Sequence, residues 1–235
     1  MPNLRFSVVI PCFNEAKSLP ELIDKAALIA KSGEGEFIFV NNGSTDDSSV
    51  ILQEVRHDGI KIVNLRVNRG YGGGILAGIE FAESSIVGWT HADLQTPLED
   101  ILRALELFTS EKVFVKGYRK GRPLSNQILS IGMGVFESIL FRTSLKEINA
   151  QPTLFHKSLT SFWNPPSDFS LDLYAYLQAK RSNYSIRRFV VTFMERKYGT
   201  SSWNTNYKSR YNFIKRTILY SVRLKRGLSD AFHSS

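Results

Sequence analysis

Four short clusters of polar residues in this chain each follow a run of apolar ones. They read Pro11-Cys-Phe-Asn-Glu15, Asn41-Asn-Gly-Ser-Thr-Asp-Asp47, His91-Ala-Asp-Leu-Gln95 and Gly117-Tyr-Arg-Lys-Gly-Arg122. Their residue types suit the handling of phosphates and a nucleoside. Asp93 and Gln95 stand two apart, so at a strand end both side chains project to the same side. A carboxylate and an amide oxygen are hard ligands that suit Mg²⁺ or Mn²⁺ shared with a substrate's phosphates. An ion held there would offset charge on a departing nucleoside diphosphate. Arg119 and Arg122 could neutralise the same diphosphate through bidentate hydrogen bonds. Asn41 and Asn42 can hydrogen-bond a base or ribose, and Gly43 lets a ligand approach the backbone closely.

Such clusters work together only if one fold gathers them at one edge. The apolar runs over 6–11, 36–41, 60–65, 86–90 and 112–117 predict strands. Helical spacing follows the first three: Leu19, Leu22, Ile23, Ala26 and Ala27, then Val50, Ile51 and Val55, then residues 74–82. Ser18 with Glu21, and Thr96 with Glu99, read as capping boxes, with Pro97 suited to the first turn. Strand–helix alternation with short loops predicts an α/β fold, a mostly parallel sheet flanked by helices. In such sheets ligands bind beyond the carboxyl ends of the strands, where the four clusters fall. Beyond Gly117 the pattern predicts helices over 124–141, 168–180 and 207–224, and a strand over 186–194.

Composition fits this reading. The 235 residues are 43% hydrophobic and 22% charged, enough for one large domain with an elaboration. No run reaches the roughly 20 apolar residues of a membrane span. The amino-terminal sequence lacks a signal-peptide pattern. Cys12 has no partner for a disulfide, and a cytoplasmic setting is expected. The net charge is +8, and from Arg196 onward nine Lys or Arg meet one acid, Asp230. That balance suits a phosphate-rich substrate or an anionic membrane surface, and equally a solvated helix face. None of the standard nucleic-acid motifs accompanies it.

The clusters, in their order, resemble those of glycosyltransferase family 2. The similarity is to the dolichol-phosphate mannose synthase and polyprenyl-phosphate glycosyltransferase branch, which has the GT-A fold. Pro11 to Glu15 matches the family's opening turn, and Asn41 to Asp46 its acidic loop. Asn68-Arg-Gly70-Tyr-Gly72 matches its Asn-x-Gly-x-Gly segment, and His91 to Gln95 its Asp-Ala-Asp-Leu-Gln motif. Looser similarity runs through Ile148 to Phe155, Asp168-Phe-Ser-Leu-Asp172 and Arg196 to Trp203. The resemblance implies an inverting, metal-dependent transfer from a UDP- or GDP-linked sugar to a polyprenyl-phosphate or glycan acceptor. It places Pro11, Phe13, Asn14, Glu15 and Asn42 at the nucleoside, and Gly70, Gly72, His91, Ala92 and Arg122 beside the donor. It assigns Asp93 and Gln95 to Mg²⁺ or Mn²⁺, and Arg119 to the leaving phosphates. Arg196 would lie near the phosphates or the acceptor. Asp168 and Asp172 are the acceptor-side acids, with a base needed only for a hydroxyl acceptor. The implied organisation is a nucleotide-sugar half over 1–122, an acceptor half over 123–205 and a basic amphipathic tail over 206–235. That tail would allow peripheral contact with the cytoplasmic face of a membrane.

Two departures from the family pattern carry chemistry. Asn41-Asn42 replaces acids and removes negative charge near the base. His91 replaces the first aspartate of the metal motif, which weakens the site for a hard cation. A histidine there could instead bond a phosphate or ribose, with activity then following its titration. Gly72-Gly-Gly-Ile-Leu-Ala77 matches a dinucleotide fingerprint, yet it follows the third strand instead of the first and reads as helix-start packing. Asp93 and Asp168 have structural readings as turn or helix caps, and Trp163 and Trp203 as core or sugar-floor aromatics. Rival functions are a nucleotidyltransferase, a nucleic-acid-binding module and a degenerate, non-catalytic sugar-nucleotide binder.

Overall fold

The computed structural model describes residues 5–31, 35–121, 124–161, 163–198 and 207–233. In chain order they form β1 (Phe6–Cys12), α1 (Leu19–Ala30), β2 (Gly35–Asn42), α2 (Ser48–Gln53), β3 (Ile60–Leu65) and α3 (Gly70–Glu80). Then come β4 (Ile86–Trp89), α4 (Asp100–Leu105), β5 (Val113–Lys120), α5 (Leu124–Phe141) and β6 (Thr153–His156). A short 3₁₀ turn at Lys157–Thr160 precedes α6 (Leu171–Arg181), β7 (Ser185–Thr192) and α7 (Tyr207–His233). The strands make one sheet in the order β3-β2-β1-β4-β6-β5-β7. The β3, β2, β1 and β4 ladders are parallel, as is β5 with β7. The chain thus folds as the expected mostly parallel α/β sheet.

Burial on both faces explains why the β1 and β2 runs lack polar alternation. Phe6, Val8, Ile10, Phe37 and Phe39 join Leu19, Leu22, Ile23 and Ala26 of α1 in one core. The other face takes α3 at close range. A Cβ on Gly78 would lie 2.4 Å from Val9 Cγ1, so only glycine lets this helix pack so tightly.

Three expectations change. β6 was not foreseen; it runs antiparallel between β4 and β5, pairing Thr153 with Trp89 and with Lys116. Neither capping box forms. The Ser18 hydroxyl turns back to Glu15, donating to its carbonyl at 3.0 Å and to Oε2 at 2.9 Å. The helix after Thr96 starts at Asp100, because residues 97–102 first wind through i+3 bonds such as Asp100 N to Pro97 O.

The chain divides into two compact units, Met1–Gly121 with Asn149–Tyr198, and Arg122–Ile148 with Gly199–Ser235. The first holds the sheet. In the second, α5 and α7 pack on each other, and Ser221 donates to Glu137 Oε1 at 2.6 Å. Glu137 is 1% exposed, and burial, only partly offset by Ser221, pushes its carboxyl up to about 7 from an ordinary 4.5. The folded state therefore keeps this proton where the unfolded chain has lost it. Its stability falls as pH rises from about 4.5 to 7, by about 3 kcal/mol at most. Glu137→Gln is expected to abolish that fall, read as helical circular dichroism against denaturant at each pH. An unchanged pH dependence would assign it to other groups.

Candidate functional site

The carboxyl ends of β1, β2, β4 and β5 carry the four polar clusters, and two local devices shape this edge. At the end of β1, Asn14 takes a positive φ of 56°, and its Oδ1 accepts Thr45 N at 2.8 Å. This ties the Pro11–Glu15 turn to the loop after β2. Asp46 completes the tie, accepting Ala16 N at 3.2 Å and Ser48 N at 3.0 Å. Burial opposes its charge, yet the Ser48 and backbone bonds win and hold the carboxyl below its ordinary range. Phe13 is left 44% exposed over this turn, and Pro11 is half-buried.

The His91–Gln95 segment is a turn, since β4 stops at Trp89. Burial still alternates along it. Ala92 and Leu94 are buried, whereas His91, Asp93 and Gln95 are half-exposed. Leu94 holds a φ of +60°, and Asp93 Oδ1 accepts Gln95 N at 3.1 Å to close the turn. Gln95 Nε2 donates to Met194 O at 3.1 Å. Its amide oxygen, and Asp93 Oδ2, accept no hydrogen bond among the described residues. These two oxygens fit a hard divalent cation whose other ligands come from substrate phosphates and water. Among the described residues no group of three His, Cys, Asp or Glu could hold a metal alone.

A strap follows β7 across this edge. Met194 N donates to Gln95 O at 2.9 Å, Arg196 pairs with Glu15, and Lys197 Nζ meets Glu21 Oε2 at 2.5 Å. The structure thus brings Arg196, distant in sequence, to the β1 turn. Arg196 Nε also donates to Tyr198 O at 2.8 Å, which fixes the guanidinium. On β5, Arg119 is half-buried with its guanidinium carbon 5.7 Å from the Phe193 ring centre. Arg122, Trp203 and the side chain of Tyr207 lie outside the described residues.

Other predicted residues take different parts. Asn42 is 3% exposed; its Nδ2 donates to Gly70 O at 2.8 Å and its Oδ1 accepts Arg69 N at 2.9 Å. Both ends of the amide are thus engaged in joining β2 to the start of α3. Gly70 and Gly72 are needed for close packing on the 166–168 loop. A Cβ on Gly70 would lie 2.5 Å from Ser167 O, and one on Gly72 2.7 Å from Pro166 O. Their lack of a side chain is thus explained by packing, as is that of Gly72 in the dinucleotide-like run. Asp168 is half-buried and its Oδ1 accepts Ser170 N at 2.9 Å, a turn-capping bond. Trp163 is half-buried between Phe155 and Tyr174, ring centres 5.3 and 5.7 Å away, where it packs against the protein. Cys12 is buried, and that burial, then Glu15, pushes its thiol far above its ordinary range, so it is inert.

Asp172 is the most enclosed of the acids predicted at the site. It is 1% exposed, and its Oδ1 accepts Gln151 Nε2 at 3.0 Å, Trp89 Nε1 at 3.1 Å and Lys116 Nζ at 3.5 Å. A carboxylate so enclosed is not open to an acceptor in this structure. It instead organises a buried polar network that sequence reasoning missed. Lys116 is 0% exposed and donates to Thr153 Oγ1 at 2.8 Å. Gln151 Nε2 also donates to the Tyr71 hydroxyl at 2.9 Å. The Tyr71 ring stacks on Phe169 at 4.4 Å and lies 5.5 Å from the His91 ring. The one signal available was Lys116 inside the apolar run Val113-Phe-Val-Lys-Gly117, a charge that must find a partner.

The family model "Glycosyl transferase family 2" matches residues 7–162. Undecaprenyl-phosphate 4-deoxy-4-formamido-L-arabinose transferase of Pseudomonas fluorescens (strain SBW25) is 40% identical over 105 residues, which are 43% of this chain and 31% of that protein. The Sodalis glossinidius protein of the same name is 34% identical over 123 residues, 50% of this chain and 38% of the relative. The chain thus matches about a third of the length of these curated relatives. In structure it is similar to glucosyl-3-phosphoglycerate synthase from Mycobacterium tuberculosis, solved with Mn²⁺, UDP and glucosyl-3-phosphoglycerate. The TM-score is 0.72 at 17% identity, covering 94% of this chain and 80% of that one, which shows the shared GT-A fold. With the sheet, the four strand-end clusters and a family match across two-thirds of its length, the chain belongs to glycosyltransferase family 2.

Proposed function

We propose that the chain is an inverting, divalent-metal-dependent glycosyltransferase that moves a sugar from a nucleoside-diphosphate sugar to a polyprenyl phosphate. The carrying observation is the meeting of the Asp93–Gln95 turn, the β1 turn and the Arg196 strap at one sheet edge. In this reading Pro11, Phe13, Asn14 and Glu15 border the nucleoside, and Asp93 and Gln95 hold Mg²⁺ or Mn²⁺. The bound ion supplies Lewis-acid neutralisation of the diphosphate. Arg119, held over Phe193, faces the leaving phosphates, and Arg196, anchored by Glu15, supports them or the acceptor.

An oxygen of the acceptor phosphate forms the new bond to the anomeric carbon as the bond to the donor's diphosphate oxygen breaks. The nucleoside diphosphate leaves with the electron pair. An anionic acceptor has no proton to lose, so no base is required. That matches a site whose acceptor-side acid Asp172 is buried. A glycan hydroxyl would instead pass its proton to a base, and Asp168 is the acid of that segment with surface access. The relatives named for undecaprenyl phosphate support the lipid acceptor. The neighbours solved with Mn²⁺ or Mg²⁺ and UDP support a metal and a UDP-linked donor. The 1–122 region then forms the nucleotide-sugar half, 123–205 the acceptor half, and the basic tail over 206–235 the contact with the cytoplasmic face of a membrane.

The direct test titrates UDP and GDP calorimetrically with Mn²⁺, Mg²⁺ or EDTA. The matching nucleotide sugars are then incubated with polyprenyl phosphate and the organic phase is assayed for sugar. Metal-dependent binding with sugar in the lipid fraction is expected; no binding of either nucleotide sinks the reading. Restoring the family carboxylate by His91→Asp is expected to tighten Mn²⁺-dependent UDP binding by about tenfold, because a second hard ligand joins the turn. Unchanged affinity would place residue 91 away from the ion.

A further inference from the structure

The α5–α7 unit wears its polarity inside out. On α5, Ile128, Ile131, Val135 and Ile139 fall at spacings of three and four, one stripe along the helix. They are 62%, 61%, 53% and 73% exposed. The polar residues lie on the other side: Glu137 is buried against Ser221, and Ser138 Oγ donates to Gly134 O at 2.5 Å. A surface helix normally shows charge outward and hides its isoleucines. Here the sole ionisable side chain of α5, Glu137, is the hidden one. Scattered exposed apolar residues need no explanation, but a continuous stripe marks a contact surface.

The partner helix tells what covers it. On α7 the exposed positions include Lys208, Lys215, Arg223 and Arg226, with Tyr211 and Leu219 among them. No acidic residue occurs in the chain from residue 207 to 229. An apolar ridge and a basic ridge on one two-helix unit complement a surface with acyl chains beneath anionic headgroups. A second copy of the chain would face these cations with its own. Among the described residues no helix is long and apolar enough to cross a membrane.

We infer that the α5 stripe, flanked by the basic residues of α7, is a docking face for an anionic lipid bilayer. This deepens the membrane contact given above for the basic tail, and moves its apolar anchor to α5. Each isoleucine stem is a separate apolar anchor, and each cation adds attraction that salt screens.

The test is co-sedimentation of the full chain with vesicles of phosphatidylcholine alone or mixed with phosphatidylglycerol. Binding to the mixed vesicles, weakened by salt, is expected. Ile131→Ser with Ile139→Ser is expected to reduce it by at least about tenfold, and Lys215→Glu with Arg223→Glu similarly. All four sites are exposed, and unchanged denaturation midpoints check that the variants fold. Wild-type binding that survives the serine variants would overturn the stripe and leave plain electrostatic adsorption. A wild-type dimer in sedimentation equilibrium that the serine variants dissociate would overturn the bilayer as occupant. A chain that docks but transfers no sugar keeps this surface and loses the proposed function. One that transfers sugar to detergent-dispersed lipid yet ignores vesicles does the reverse.

Discussion

An Asp93→Asn variant is expected to bind its nucleoside diphosphate about a hundredfold more weakly in Mn²⁺, with little change in EDTA. Sugar transfer should fall by at least as much. The substitution is chosen because it spares the turn. Asparagine keeps an oxygen to accept Gln95 N, and Leu94 keeps its left-handed conformation between them. Only the carboxylate's charge is lost. A neutral amide is a poor ligand for a hard cation that already has a neutral amide at Gln95 and an imidazole where the family has an acid. The sequence of this turn leaves a single carboxylate in the metal motif, so the effect of removing it should be larger than in a two-acid site. Calorimetric titration in the two conditions, with thermal denaturation as the folding check, decides it. Equal loss in EDTA would mean that Asp93 shapes the pocket without holding an ion.

The positions of these groups were legible because local chemistry announces them. Apolar runs flanked by turn residues gave β1 to β5, and the strand ends followed from the runs. What escaped depends on partners far away in the chain. β6 has four residues, too few for periodicity to distinguish, and it is a strand because Trp89 and Lys116 flank it. The Asn42 amide could point to a ligand or into the protein. In the structure it points inward, donating to the carbonyl of Gly70 and accepting from the N–H of Arg69. Ser18 has the sequence of a cap, but Glu15, only three residues earlier, offers its hydroxyl two acceptors at once. Arg196 carried no positional signal beyond a family resemblance; a salt bridge to Glu15 across 181 residues places it. Except at Ser18, whose choice is local, tertiary contact chose between options that sequence left equal.

The buried network makes the strongest demand on stability. Asp172→Ala would leave the Lys116 ammonium, 0% exposed, without its counter-charge, and would strip an acceptor from Trp89 and Gln151. A loss of about 3–5 kcal/mol in unfolding free energy is expected. The pair itself need not be stabilising, since two charges were taken from water to make it. Lys116→Met combined with Asp172→Leu should therefore recover much of the single-variant loss. The pH dependence gives an independent reading. Burial, partly opposed by Asp172 and aided by Arg188, lowers the Lys116 ammonium to about 8 from an ordinary 10.5. Between those values the unfolded chain holds a proton that the folded one has shed, so this group raises stability as pH climbs from 8 to 10.5. Lys116→Met removes the group, and the stability difference between wild type and variant should shift in favour of wild type across that window. The network also joins β4, β5, β6 and α6, with Tyr71 of α3 linked through Gln151 and resting near His91. The doubly apolar variant should accordingly fold yet bind nucleotide more weakly than wild type, because the shell beneath the His91–Gln95 turn has lost its polar registry. Wild-type nucleotide affinity in that variant would confine the network to stability alone.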